Sequence, residues 1–298
     1  MDTLNFFKEH FDHLQFKDAN SGLDAIRKRA FQQFNEKGIP AGRNEEWKYT
    51  RIGGLFNKEY DFFLNAGELT PEELDDIRLP GYEQANELVF INGVFAPSLS
   101  VVRSKELVAM RLEEAAHSEF KEIVATHLGH SSSYLKDGIN ALNTAFVHGG
   151  VFIYVKKGKL IEHPVYMYHI SDARSGNIFS QPRSLVFIGE NAQVQLVETS
   201  STIGQGESFT NGVMEIVVEK EAVLEHYKIQ NDAEHTSQVS TTHIHQTGKS
   251  YIHAVTLTLY GGIVRNNLNV VMDAEYAEAH LYGLYFLKGR SHVDNHTL

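Results

Sequence analysis

The sequence predicts a mainly β molecule with a helical front: a mainly helical region over residues 1–150 and a β-rich core over residues 151–298. Three observations predict this. Apolar residues recur at spacings of three and four before residue 150. After it, short runs rich in Val, Ile, Tyr and Thr follow one another without a long helical pattern between them. Four of those runs also rhyme. "GENAQVQLVE" from Gly189, "EKEAVLEHYK" from Glu219, "QTGKSYIHAV" from Gln246 and "AEYAEAHLYG" from Ala274 overlay with steps of 30, 27 and 28 residues. Each sets a polar turn before alternating small or apolar residues. Paired strands repeating at this length suggest a β-solenoid, in which each coil buries its face only against its neighbours. Pattern alone leaves a β-sandwich open.

Each element has a local justification. Leu4, Phe7, Phe11 and Leu14 mark one face of a first helix. Leu23, Ile26, Ala30 and Phe34 mark a second, which starts near Ser21 and stops at Gly38 with Pro40 beyond it. "TPEEL" starts a third, with Thr70 as cap, Pro71 in the first turn and Glu73 closing a capping box. "NELVFINGVFAPSLS" reads as a hairpin turning at Asn92-Gly93. Leu135, Ile139, Leu142 and Phe146 mark another helix face, ending at Gly149-Gly150. Ten β runs then follow, from "VFIYV" at Val151 to "AHLYGLYFL" at Ala279.

Composition excludes whole classes of function. The net charge of −11 argues against nucleic acid and anionic membrane as main partners. The absence of cysteine removes disulfides, thiolate metal sites, Cys-ligated clusters and Cys nucleophiles from this chain. The N-terminus is acidic at once and lacks the apolar stretch of a signal peptide, and no apolar run is long enough to span a bilayer. A cytoplasmic location is the expectation, which leaves the Asn295-His296-Thr297 sequon without use.

The chemical motifs are modest. His243 and His245 resemble the opening of a cupin metal motif and share one strand face, but the glutamate such a motif needs does not follow. His10 with His13, and His127 with His130, are helical pairs, and two ligands are not a site. There is no P-loop, H-E-x-x-H or G-x-S-x-G, and the Gly-rich 202–212 segment reads as a loop between strands. Glu198, Glu215, Glu225, Asp273 and Glu278 are scattered through the strands, which keeps a carbohydrate-cleaving solenoid enzyme as an alternative, beside a cupin-like metalloprotein. Near the end, His292, Asp294 and His296 share one strand face and are the candidate metal ligands, though a spread of roughly 13 Å in an extended strand requires a bend for all three to meet. Their other reading is an outward polar face. In "EEWKYT", Trp47 and Tyr49 are candidates for docking the helical part onto the β part, or for contacting a partner, while Glu45, Glu46 and Lys48 stay wet.

"IPAGRNEEWKYTRIGGLF" (39–56), "LNTAFVHGGVFIYV" (142–155), "EHPVYMYH" (162–169), "VRNNLNVVMD" (264–273) and the "LKGRSHVDNHT" stretch ending at residue 297 occur in this order along the chain. The ordered set resembles the SufB/SufD family of the SUF iron–sulfur cluster assembly system, and "EEWKYT" after N-terminal helices is similar to its SufD branch more than its SufB branch. The resemblance implies a right-handed parallel β-helix preceded by a helical region. It implies a non-catalytic component that pairs with a SufB-like protein and a SufC-like ABC ATPase, with no cofactor of its own, the iron–sulfur cluster being handled by the complex. It also implies further coils and C-terminal helices beyond Leu298, so the family's interface residues are carried onto no position here, and the chain looks like the front two-thirds of such a protein. An open last coil is expected to favour self-association, with a homodimer as one outcome.

Overall fold

The computed structural model describes residues 3–17, 21–62 and 68–298. Its front is helical: α1 (Thr3–Lys17), α2 (Asp24–Lys37) and α3 (Pro71–Asp75). A hairpin follows, β1 (Asn86–Ile91) and β2 (Val94–Phe95), then β3 (Leu107–Arg111), α4 (Leu112–Ala116), α5 (Lys121–His127) and α6 (Gly138–Ala145). The remaining strands are β4 (Val151–Val155), β5 (Val165–Ala173), β6 (Ile178–Ser180), β7 (Arg183–Ile188), β8 (Gln193–Gly204) and β9 (Ser208–Val218). They continue as β10 (Val223–Asn231), β11 (Thr236–Gln246), β12 (Tyr251–Tyr260), β13 (Ile263–Met272), β14 (Glu278–Tyr285) and β15 (His292–Thr297). All ten β runs expected from the sequence are strands. No helix among the described residues is long and apolar enough to cross a membrane.

The strands wind alternately into two sheets. Sheet 1 runs β14-β12-β10-β8-β5-β1-β2 and sheet 2 runs β15-β13-β11-β9-β7-β4-β3. Apart from the antiparallel ends β1–β2 and β3–β4, the neighbours in both sheets are parallel. From β7 onward, consecutive strands therefore lie in opposite sheets and each pairs with the strand a full coil earlier, while β6 pairs with β9 in sheet 2. This is a parallel β-solenoid, which settles the choice against a sandwich of antiparallel sheets. It also removes the cupin alternative, which needs a jelly roll.

The strand register refines the repeat. Gln193 lies opposite Val223, Val223 opposite Tyr251, and Tyr251 opposite Glu278, steps of 30, 28 and 27 residues by subtraction. The overlay read from sequence sets its third block one residue early. The turns differ there. Asn191, Glu221 and Tyr276 each take a left-handed conformation two residues before a strand, whereas the turn before β12 has no such residue.

Local chemistry explains the helical front. Phe7, Phe11 and Leu14 are buried as one face; Leu4's side chain lies outside the described residues. Ser21 accepts from the Leu23 N–H at 3.3 Å, and Gly38 ends α2 at φ 64°. Thr70 and Glu73 form the reciprocal capping box. Asn92 and Gly93 both have positive φ, the conformation a two-residue hairpin turn requires. The last front helix starts later than Leu135, because the Asp137 side chain accepts from the Asn140 N–H at 2.9 Å and caps α6 there. Beyond residue 202 the expected loop is short: β8 extends to Gly204 and β9 resumes at Ser208.

Two cores result. Between the sheets, Val165, Met167, Leu196, Leu224 and Ile252 meet Ile153, Val186, Ile216 and Ile244. Outside sheet 2, the helices lay Phe7, Phe11, Phe34, Trp47 and Phe146 over Phe179, Phe209 and Val239. Helices α1, α2, α4, α5 and α6 are thus a coat on sheet 2, whereas Leu74 of α3 packs against Val89 and Tyr168 of sheet 1. Strands β1 to β3, from the front half, extend the same two sheets.

Candidate functional site

The coat meets the last coils through the "EEWKYT" segment. Glu45–Trp47 forms a 3-10 turn that drives Trp47 inward, to 1% exposure. Its ring lies under the Arg265 guanidinium of β13, 4.1 Å from the ring centre. Tyr49, two residues on, points outward at 75% exposure, so Trp47 alone docks. Thr50 is buried and its hydroxyl donates to Asp294; His292 Nε2 lies 3.2 Å from the same hydroxyl. Arg265 donates to Asp294 at 2.6 Å and to Asn267 at 2.9 Å.

This is where the structure places the terminal trio. In register, His292, Asp294 and His296 sit beside Ile263, Arg265 and Asn267, on the coated side of sheet 2. Asp294 is occupied by an arginine and a threonine. His296 lies further along, lining a cavity of about 330 Å³ with Trp47, Tyr134 and Asp137. Among the described residues, no three His, Asp or Glu side chains are grouped at metal-binding geometry. Asn295, on the opposite face, accepts from Asn266 at 3.0 Å. The Asp137 carboxyl is pushed up by burial, with Glu46 adding to the rise and Arg265 opposing it.

Deeper under the coat lies a buried ion pair. Arg183 of β7 donates to Glu215 of β9 at 2.5 Å, with both side chains almost fully buried. Glu215 also accepts from the backbone N–H groups of Gly129 and Ser131, each at 2.8 Å. Burial raises the Glu215 carboxyl, but Arg183 and these N–H donors outweigh it, and the group stays below its usual range. Glu215 thereby staples the loop after α5 onto sheet 2. The same loop carries His130, and β11 carries His243 and His245 opposite it.

The lumen holds a second charged cluster. Alternation turns His226, Lys228 and Gln230 of β10 inward, with Glu198 of β8 beside them. His226 Nε2 is 2.6 Å from Glu198, Lys228 Nζ 3.6 Å and His169 Nε2 3.4 Å. Lys228 crosses the lumen to donate to Ser240 at 2.6 Å and Thr242 at 2.9 Å. Burial works to raise the Glu198 carboxyl, but Lys228, His169 and His226 overcome it and hold the group well below its usual range. A cavity of about 30 Å³ beside the cluster has room for roughly two waters.

Of the carboxylates read from sequence, Glu198 faces the lumen and Glu215 the coat, on opposite sides of the solenoid wall. Glu225 is bonded by Gln195 and Tyr227, and Asp273 by His245. Sequence reasoning missed Arg183, Lys228 and Arg265. For Lys228 the available signal was a charge at the lumen-facing beat of "LEHYKIQ"; Arg183 and Arg265 sit on the coat-facing beat, where a charge reads as ordinary.

Known families match the whole arrangement. A family described as SufBD protein N-terminal region matches residues 2–167, and one described as SUF system FeS cluster assembly, SufBD core domain, matches residues 169–298. An iron–sulfur cluster assembly SufBD family protein of Synechocystis is 28% identical over 272 residues, covering 87% of this chain and 58% of its own length. The iron–sulfur cluster assembly protein SufD of Escherichia coli is 24% identical over 253 residues, covering 82% of this chain and 55% of its own. SufB of Bacillus subtilis is 30% identical over 129 residues, 43% of this chain and 27% of its own. The chain spans about half the length of the first two relatives.

Proposed function

We propose a role from one premise: the chain belongs to the SufBD family of SUF iron–sulfur cluster assembly proteins. In that system it acts as a non-catalytic component, pairing with a SufB-like protein and a SufC-like ABC ATPase in the cytoplasm. The iron–sulfur cluster is cargo of the complex, with no cofactor resident in this chain. The observation that carries the reading is the pair of family matches, which together run from residue 2 to residue 298. The likeness to SufD extends over 82% of the chain, against 43% for SufB, which favours the SufD-like place in the complex.

The geometry supports a structural part. Glu198 and Glu215 are neutralised by buried cations and aimed into the protein, so neither is poised as a general acid or base. Their separation by the solenoid wall weighs against the carbohydrate-enzyme alternative, which needs two carboxyls flanking one bond. Co-expression of the protein with a SufB-like chain and a SufC-like ATPase tests the role. Recovery of all three in one complex is expected; clean failure of both interactions defeats the proposal.

A further inference from the structure

The two histidine pairs that looked insufficient separately meet across the seam between coat and solenoid. His130 Nδ1, in the turn after α5, is 2.9 Å from His243 Nε2 on β11. The His245 ring lies flat against His130, with centroids 4.3 Å apart and planes 4° from parallel. His245 Nε2 is 2.7 Å from an Asp273 carboxylate oxygen. A carboxylate only accepts, so Nε2 carries a proton, and Nδ1 is the nitrogen left to face a ligand. That Nδ1 is buried and has no hydrogen-bond partner, and the same holds for His243 Nδ1.

We propose that His130, His243 and His245 form a binding site for a divalent transition metal ion of the zinc class, with Asp273 as the outer partner that orients His245. The site is distinct from the 292–296 trio and does not depend on the role in cluster assembly. Three features carry it. Two ring nitrogens from separate elements already converge at close to the separation of two ligands on one ion, which is about 3.3 Å for tetrahedral bonds of ~2.0 Å. The third imidazole has a free nitrogen and a carboxylate on its other side, the usual arrangement behind a metal-bound histidine. A cavity of about 220 Å³, lined by His130, Ser132 and Thr144, opens on the His130 side of the cluster.

As it stands, the arrangement needs one adjustment. His130 and His245 are stacked, so their nitrogens do not yet converge, and no three side chains are at ligand geometry among the described residues. Binding replaces the His130–His243 hydrogen bond with two metal bonds and turns the His245 ring off the stack. Arg183 and Glu215 neutralise each other, which leaves the Asp273 carboxylate as the compensation for a cation.

The test is titration of the untagged chain with Zn²⁺ by calorimetry, and with Co²⁺ by visible absorption, at pH 7.5. One equivalent is expected, with Co²⁺ giving the intense bands of four-coordination. His243 is buried, so the decisive variants are His130→Gln and the exposed Asp273→Asn, with circular dichroism as the folding control. Asp273→Asn should weaken Zn²⁺ binding about 10- to 100-fold, the usual cost of losing an outer-shell partner. His130→Gln should abolish the Co²⁺ bands, while His292→Ala leaves them unchanged. Absence of binding overturns the proposal, as does binding that both decisive variants leave intact; the His130–His243 contact is then a hydrogen bond between neutral rings.

Discussion

Trp47 shows how much one residue organises. It is the sole tryptophan, it is closed off from solvent, and it lies against the arginine that holds Asp294. Trp47→Ala should cost about 3–5 kcal/mol, the range for removing a buried large aromatic. Tyr49→Ala should stay within about 0.5 kcal/mol, as for an exposed side chain. Urea denaturation of both variants checks the contrast. Glu198 makes a pH prediction of definite sign. Its folded proton affinity lies below the ordinary carboxyl value, so the unfolded chain binds more protons in acid. Stability from this group is therefore complete above about pH 4.5 and lost as pH falls through and below that value. Lys228→Met should leave Glu198 charged and poorly paired, costing about 3–5 kcal/mol at pH 7. Urea midpoints measured from pH 7 to pH 3 give both quantities, and the variant's acid slope should be shallower.

At the scale of elements, close packing of α2 against α6 depends on a glycine. A Cβ on Gly138 would lie 1.8 Å from the Gly38 carbonyl oxygen, with backbone on both sides. Gly138→Ala must push the helices apart, so a loss of about 1–3 kcal/mol or more is expected by thermal denaturation. The last coil makes the opposite kind of prediction. On β14 and just past it, Tyr282, Leu284, Tyr285 and Phe286 are all more than half exposed, beside an unpaired sheet edge. An exposed apolar patch of this kind favours association, so Leu284→Lys with Phe286→Lys should reduce the mass seen by light scattering at high concentration. The elements were largely legible in the sequence because period and capping are local properties: "TPEEL", Asn92-Gly93 and the alternating runs each carry their own instruction. Pairing direction was not. Alternation reads the same in a parallel coil and an antiparallel sandwich, and only the rhyme and the family resemblance favoured the coil. The site was legible only in fragments. His130 and His243 are 113 residues apart, and nothing local brings them together. Trp47 stood out with Tyr49 in a polar segment, but its arginine partner lies 218 positions on, counting from 47 to 265.

For the whole molecule, protection should follow the solenoid axis. A coil touches only its neighbours, so β8 to β11 are held on both sides and β14 and β15 on one. Amide exchange should be slowest in the former and fastest in the latter, and uniform protection would show that the rod opens as one unit. The coat introduces a constraint that a bare solenoid lacks. At one end, Leu112, Phe120 and Val124 are fastened to Phe152 and Leu185 of β4 and β7. At the other, Trp47 and Thr50 are fastened to β13 and β15. Between β4 and β15 there are five strand spacings, about 24 Å at ~4.8 Å each. The coat is therefore a gauge of fixed length. Ordinary solenoids gain or lose a repeat cheaply, but here excising one turn of 28 residues or so, the interval between β10 and β12, would leave the far anchor overshooting its arginine by one strand. The number of coils beneath the coat is thus set by the span of the segment that crosses them, and tandem duplication or deletion is tolerated only outside that span.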